Sequence, residues 1–92
     1  MSRDSSIGII ISAFVFYTYV LKSEKDSKLY IGHSDNLKNR IEKHSKGSVL
    51  STKHRRPLKL VYYEACLVEN KAIKREKYFK TGFGRIFLKS RI

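Results

Sequence analysis

Read for apolar and polar positions, the chain breaks into six segments. Phe14 to Leu21 is a run of β-branched, aromatic and aliphatic residues, which predicts a strand. Polar, turn-like residues follow at Ser23 to Ser27, and then a short second strand at Lys28 to Gly32. Together they predict an antiparallel hairpin. A four-residue loop over Ser23–Asp26 pairs Lys22 with Ser27 and sets Tyr19 opposite Tyr30 on one face. Ser34 or Asp35 can cap a helix running to about Lys46, with Gly47 placed to end it. Its inward stripe is Leu37, Ile41 and His44, with Arg40 on the flank. A basic loop occupies 48–57, and Leu58 to Ala65 has the composition of a third strand. Glu69 to Lys80 reads as a second helix, and Gly84 to Arg91 as a short last one with Ile86 and Phe87 inward. The order β-β-α-β-α-α predicts a small α/β (α+β) sandwich, a central three-stranded, mainly antiparallel sheet flanked by helices. One domain is expected over 14–92, preceded by an N-terminal extension at 1–13.

Composition sharpens this picture mainly through charge. The chain of 92 residues is 41% apolar and 12% aromatic, which suits a folded protein with one modest core. Its 20 Lys and Arg face only 8 Asp and Glu, a formal charge of +12. Such an excess opposes compaction by self-repulsion and points to a polyanionic partner, nucleic acid before a membrane surface. The apolar run at 7–21 falls short of the roughly 18 residues of a membrane span, so no stable membrane association is expected. Arg3 is offset by Asp4 and no small-x-small site follows, so a signal peptide is not expected either. Cys66 is the single cysteine, which excludes an internal disulfide and any multi-cysteine metal site. It reads as a small core residue in a protein of the reducing cytoplasm.

Candidate chemistry begins at Tyr30-Ile31-Gly32 and continues through Asn36-Leu37-x-x-Arg40-x-x-x-His44. Arg40 and His44 stand one helical turn apart and present two phosphate-reading groups on one face. Singly, Tyr30 reads as a core aromatic, Arg40 as a solvated charge and His44 as an interior histidine; in combination they favour a site. Glu76 is the only acid between Lys71 and Ile92, on a helix face shared with Ala72, Ile73 and Phe79. A carboxylate aimed at the sheet must be paired or metal-bound. It is therefore either an internal ion-pair partner, with Arg40 the natural one, or a ligand for Mg²⁺, which takes hard oxygen donors. Glu64 and Glu69, near predicted element ends, read as solvated. Lys53, Arg55 and Arg56 in the basic loop, with Lys74 and Lys77 on the second helix, are candidate nucleic-acid contacts. About five phosphate contacts would give a log-affinity against log-salt slope near −4.5.

These residues resemble the GIY-YIG nucleases. The family's first motif looks like Tyr17-Thr18-Tyr19 here and its second like Tyr30-Ile31-Gly32. The likeness spans roughly 14–90. It is strongest to short stand-alone bacterial-type members, which in turn resemble the catalytic N-terminal domain of the excision-repair incision subunit. The resemblance places the motif tyrosines on Tyr19 and Tyr30, the helix arginine on Arg40, the residue one turn on at His44, and the metal-binding glutamate on Glu76. Tyr17 stands where many relatives carry glycine, His33 where the incision subunit has lysine, and no asparagine follows Glu76. What the family implies is phosphodiester hydrolysis with Mg²⁺ (or Mn²⁺) on Glu76, in DNA repair or processing. Tyr30 would take the proton of the attacking water, Arg40 would neutralise phosphoryl charge, and Tyr19 would orient water or phosphate. His33 or His44 would relay protons, and Tyr17 is a further phosphate-contact candidate. DNA is favoured over RNA as substrate, and a larger protein partner is the expected source of targeting. The competing reading is a nucleic-acid-binding module that uses the same basic surface without cutting.

Overall fold

The computed structural model describes residues 14–92, so the expected extension at 1–13 lies outside the described residues. Three strands, β1 (Phe16–Ser23), β2 (Leu29–Ser34) and β3 (Leu58–Cys66), form one sheet in the order β2-β1-β3, antiparallel throughout. The helices are α1 (Leu37–Lys46), α2 (Glu69–Phe79) and α3 (Gly82–Lys89), with a 3₁₀ turn at Lys53–Arg55. The predicted order and α+β class hold.

β1 is central because it is apolar or hydroxyl-bearing on both faces. Thr18, Tyr19, Val20 and Leu21 are all almost fully buried. Val20 faces α2 and α3, forming the core with Phe79 and Leu88, against which Leu29, Ile31, Val61, Tyr62 and Phe87 pack. On that same face the Thr18 hydroxyl donates to the Ala72 carbonyl at 2.9 Å and pins α2 to the sheet. The pleat turns Tyr19 to the opposite face, toward α1.

The hairpin register departs from the expected one by two residues. The four-residue loop starts at Glu24, not Ser23, so Tyr19 lies opposite Gly32 and Tyr30 opposite Leu21. Ser23 is responsible: its N–H donates to Lys28 and its carbonyl accepts from Ser27, closing the ladder one pair later. Its Oγ also accepts from the Lys25 and Asp26 N–H groups, a hydroxyl-capped turn. Because the slip is two residues, Tyr19 and Tyr30 keep one face and become diagonal neighbours.

Other boundaries move for local reasons. Asn36, not Ser34 or Asp35, caps α1, its Oδ1 accepting from the Asn39 N–H at 3.1 Å. Gly47 ends that helix at φ 80°, as expected of a left-handed cap. α3 starts at Gly82 because Thr81 caps it, accepting from the Gly84 N–H at 3.1 Å. A side chain at Gly84 would meet the Tyr78 carbonyl at 2.0 Å, so only glycine lets α3 fold back on α2. Ile86, expected inward, is 66% exposed, and Leu88 is buried beside Phe87. Glu64, expected solvated, instead accepts from Arg75 at 2.6 Å and from the Tyr62 hydroxyl at 3.0 Å. Cys66 is half-buried at the end of β3 rather than in the core.

Candidate active site

Four elements meet at the open side of β2. β1 supplies Tyr19, β2 supplies Tyr30, Gly32 and His33, α1 supplies Arg40 and His44, and the α2 end supplies Glu76 with Lys80 just beyond it. All eight line one cleft of about 320 Å³.

Gly32 sets the floor. A Cβ there would stand 2.6 Å from the Tyr19 hydroxyl oxygen and 2.7 Å from Cζ, so the tyrosine ring lies flat against the bare backbone. The hydroxyl is then fixed from α1: Arg40 Nε donates to it at 3.3 Å and His44 Nε2 lies 3.0 Å away. The His44 ring packs edge-on to Tyr19, with centroids 5.7 Å apart. Its other nitrogen, Nδ1, is 2.8 Å from the buried Thr52 hydroxyl. Burial, and then the Arg40 charge, hold the His44 pKa below its ordinary value, so the ring is neutral. A neutral ring donates from one nitrogen and accepts at the other. The ring therefore donates to one of the Tyr19 and Thr52 hydroxyls and accepts from the other, coupling the two. Arg40 thus donates to the Tyr19 oxygen, while His44 links the same hydroxyl to Thr52.

On the far side, Glu76 is held by His33 and Lys80. Oε1 pairs with His33 Nδ1 at 2.5 Å and Oε2 accepts from Lys80 Nζ at 2.9 Å. Burial pushes its carboxyl up, but the His33 and Lys80 hydrogen bonds and charges together outweigh that and hold the pKa below the usual range. Arg40, the partner foreseen for an internal ion pair, binds Tyr19 instead. A divalent ion fits this setting on one condition. Among the described residues no group of three His, Cys, Asp or Glu gathers, so the protein offers a single carboxylate. Mg²⁺ accepts that, since it is usually held by one or two carboxylates, waters and substrate phosphates. Each Glu76 oxygen, with one partner, keeps a lone pair for it.

The GIY-YIG catalytic domain matches residues 15–89 of the sequence. The chain belongs to the GIY-YIG family. It is 44% identical over 66 residues to a UPF0213 protein of Pediococcus pentosaceus, covering 71% of this chain and 68% of that one. A UPF0213 protein of Staphylococcus saprophyticus is 42% identical over 66 residues, 71% of this chain and 79% of the relative. The solution NMR structure of a UPF0213 protein from Bacillus halodurans superposes with a TM-score of 0.53 at 28% identity, over 83% of each chain.

Within this GIY-YIG frame, Tyr19, Tyr30, His33, Arg40, His44 and Glu76 come together in the cleft. Tyr17 does not: it packs near Tyr63, ring centroids 6.2 Å apart, outside the cleft lining. Arg55 pairs with Asp26 and sits 5.9 Å from the Tyr30 ring centre. Arg56 donates to the Lys53 and Ser45 carbonyls, closing the end of α1. Lys53 and Lys77 are exposed, and Lys74 borders a separate depression beside Cys66. Sequence reasoning missed Lys80 and Thr52. Lys80 was readable as the i+4 partner of Glu76. Nothing in the sequence marks Thr52, a loop hydroxyl that only the folded chain brings to His44. Among the described residues no helix is long and apolar enough to cross a membrane.

Proposed function

We propose that this protein hydrolyses phosphodiester bonds in nucleic acid, DNA in preference to RNA, with Mg²⁺ or Mn²⁺ held by Glu76. What supports the reading is the convergence in one cleft of two tyrosines, an arginine, a neutral histidine and a single carboxylate, contributed by four different elements. When bound, the ion supplies Lewis-acid polarisation of the phosphodiester. The chain's own groups do the rest. Arg40, already donating to Tyr19 from Nε, turns its remaining guanidinium N–H groups to the phosphoryl oxygens as their charge grows. Tyr19 presents its O–H to a phosphate oxygen or to the attacking water, held in place by Gly32, Arg40 and His44. With Tyr30 acting as its phenolate, the water oxygen bonds to phosphorus as the water proton passes to the Tyr30 oxygen, and the phosphorus bond to the leaving sugar oxygen breaks, that oxygen taking a proton from solvent water. His33, paired to Glu76, is an additional proton carrier at the mouth. The wider assignment is a cytoplasmic role in DNA repair or processing, with targeting by a larger partner.

The deciding experiment compares wild type with Glu76→Ala on supercoiled plasmid and single-stranded DNA, in Mg²⁺ or EDTA. The expected result is Mg²⁺-dependent nicking that the variant loses while still binding DNA. Equal cutting by the variant would sink the role of Glu76. No cutting of any substrate by wild type, with salt-sensitive binding intact, selects the binding module instead.

A further inference from the structure

A groove of about 640 Å³, larger than the cleft, opens between the β1–β2 hairpin and α3. Lys22, Lys28, Arg85 and Lys89 line it over an apolar floor that includes Leu29 and Val61, and among the described residues no acidic one does. All four cations are exposed, and among the described residues none enters an ion pair. The basic-loop arginines differ, since Arg55 is neutralised by Asp26 and Arg56 is spent on backbone carbonyls. Four unpaired like charges around a concavity with low-dielectric walls focus a positive potential there.

The groove and the cleft share two walls in the same order. Along β2 and its approach, Lys28 and Leu29 face the groove, and Tyr30, Ile31, Gly32 and His33 face the cleft. Along the opposite wall Lys80 belongs to the cleft, while Arg85 and Lys89 on α3 belong to the groove. β2 is an edge strand, so among the described residues no further strand covers its open side, along which both openings lie.

We propose that this groove is a second, non-catalytic nucleic-acid site, which binds the phosphate backbone of the strand running out of the cleft. The proposal rests on the nuclease reading for its direction, but its test does not require cutting. The apolar floor meets sugar and base surfaces, and the four cations meet successive phosphates. These residues are scattered over positions 22 to 89 of the sequence, and their grouping exists only in the fold.

The test is binding of a labelled DNA duplex in EDTA across a salt series. The groove variant carries Lys22→Gln, Lys28→Gln, Arg85→Gln and Lys89→Gln. A control carries Lys38→Gln, Lys43→Gln, Lys46→Gln and Lys71→Gln, all exposed and outside both openings. Each lowers the formal charge equally, from +12 to 12 − 4 = +8. If all four groove residues neutralise phosphates, the log-log salt slope becomes shallower by about 3.6, at about 0.9 per contact. Affinity near physiological salt drops at least tenfold, and the control changes far less. A third variant that swaps Lys for Arg and Arg for Lys at the four groove positions retains the wild-type slope. Equal losses in groove and control variants would mean that net charge alone binds DNA, and the proposal falls. It falls equally if the groove variant binds DNA as wild type does, or loses only its binding to vesicles of anionic phosphatidylserine. Failure of plasmid nicking with the groove effect intact would remove the nuclease reading and leave this site standing.

Discussion

Gly32→Ala is the change whose outcome follows most directly from the geometry. The added methyl would lie 2.6 Å from the Tyr19 oxygen and 2.7 Å from Cζ, against an ordinary contact of about 3.5–4.0 Å. Either the ring or β2 must shift by nearly 1 Å. Tyr19 resists, being 3% exposed and tied through its hydroxyl to Arg40 and His44. Overpacking of this kind costs about 1–3 kcal/mol. Alanine recovers about 0.5–1 kcal/mol relative to glycine in a strand, while each hydrogen bond lost at Tyr19 costs about 1 kcal/mol. The net is about 2 kcal/mol of destabilisation, or roughly 8–16 °C in Tm for a domain of this size. Thermal and urea melts of Gly32→Ala, Tyr19→Ala and the double variant measure it as a cycle. Without the Tyr19 ring the methyl enters vacated space, so the Gly32→Ala penalty should vanish or reverse. The same penalty in both backgrounds would refute the close approach as its cause.

The remaining predictions concern His44. Thr52→Val leaves its buried Nδ1 without a partner and should cost about 1–3 kcal/mol, whereas Thr52→Ser restores the bond. If Tyr19 presents its O–H to substrate, nitrogen NMR of the wild-type ring should find the hydrogen on Nε2; a ring protonated on Nδ1 instead would overturn that role. The depressed His44 pKa also fixes a sign for pH. The unfolded chain binds the proton more readily, so the stabilisation is complete above the ordinary value of 6.5 and is lost as pH falls through the lower folded value. Melts between pH 7 and 5 should show this slope, and His44→Gln should flatten it; an unchanged slope would place the titration elsewhere. Glu76 acts in a separate window: its stabilisation is present above the ordinary 4.5 and is lost as pH falls through the depressed folded pKa.

The sequence by itself determined the element order, the antiparallel hairpin, and the residues around which the cleft forms. These are local properties. β-branched and aromatic density marks Phe14–Leu21 as a strand, helical spacing puts Arg40 one turn before His44, and Glu76 is conspicuous as a lone acid among cations. Tertiary structure decided the partners. Two placements of a four-residue turn, one residue apart, are almost equally plausible in sequence, yet the hydroxyl of Ser23 selects the one that sets Gly32 under Tyr19. Glu76 pairs with His33 and Lys80 rather than Arg40 because Thr18 pins α2 to the Val20 face of the sheet, while α1 carries Arg40 on the other. α3 buries Gly84 and Leu88 and leaves Ile86 exposed, and the close backbone approach at Gly84 is a constraint set by atoms of Tyr78 and Phe79. Thr52 and the four groove cations gain their roles only from contacts and neighbourhoods between distant segments, which no local pattern encodes.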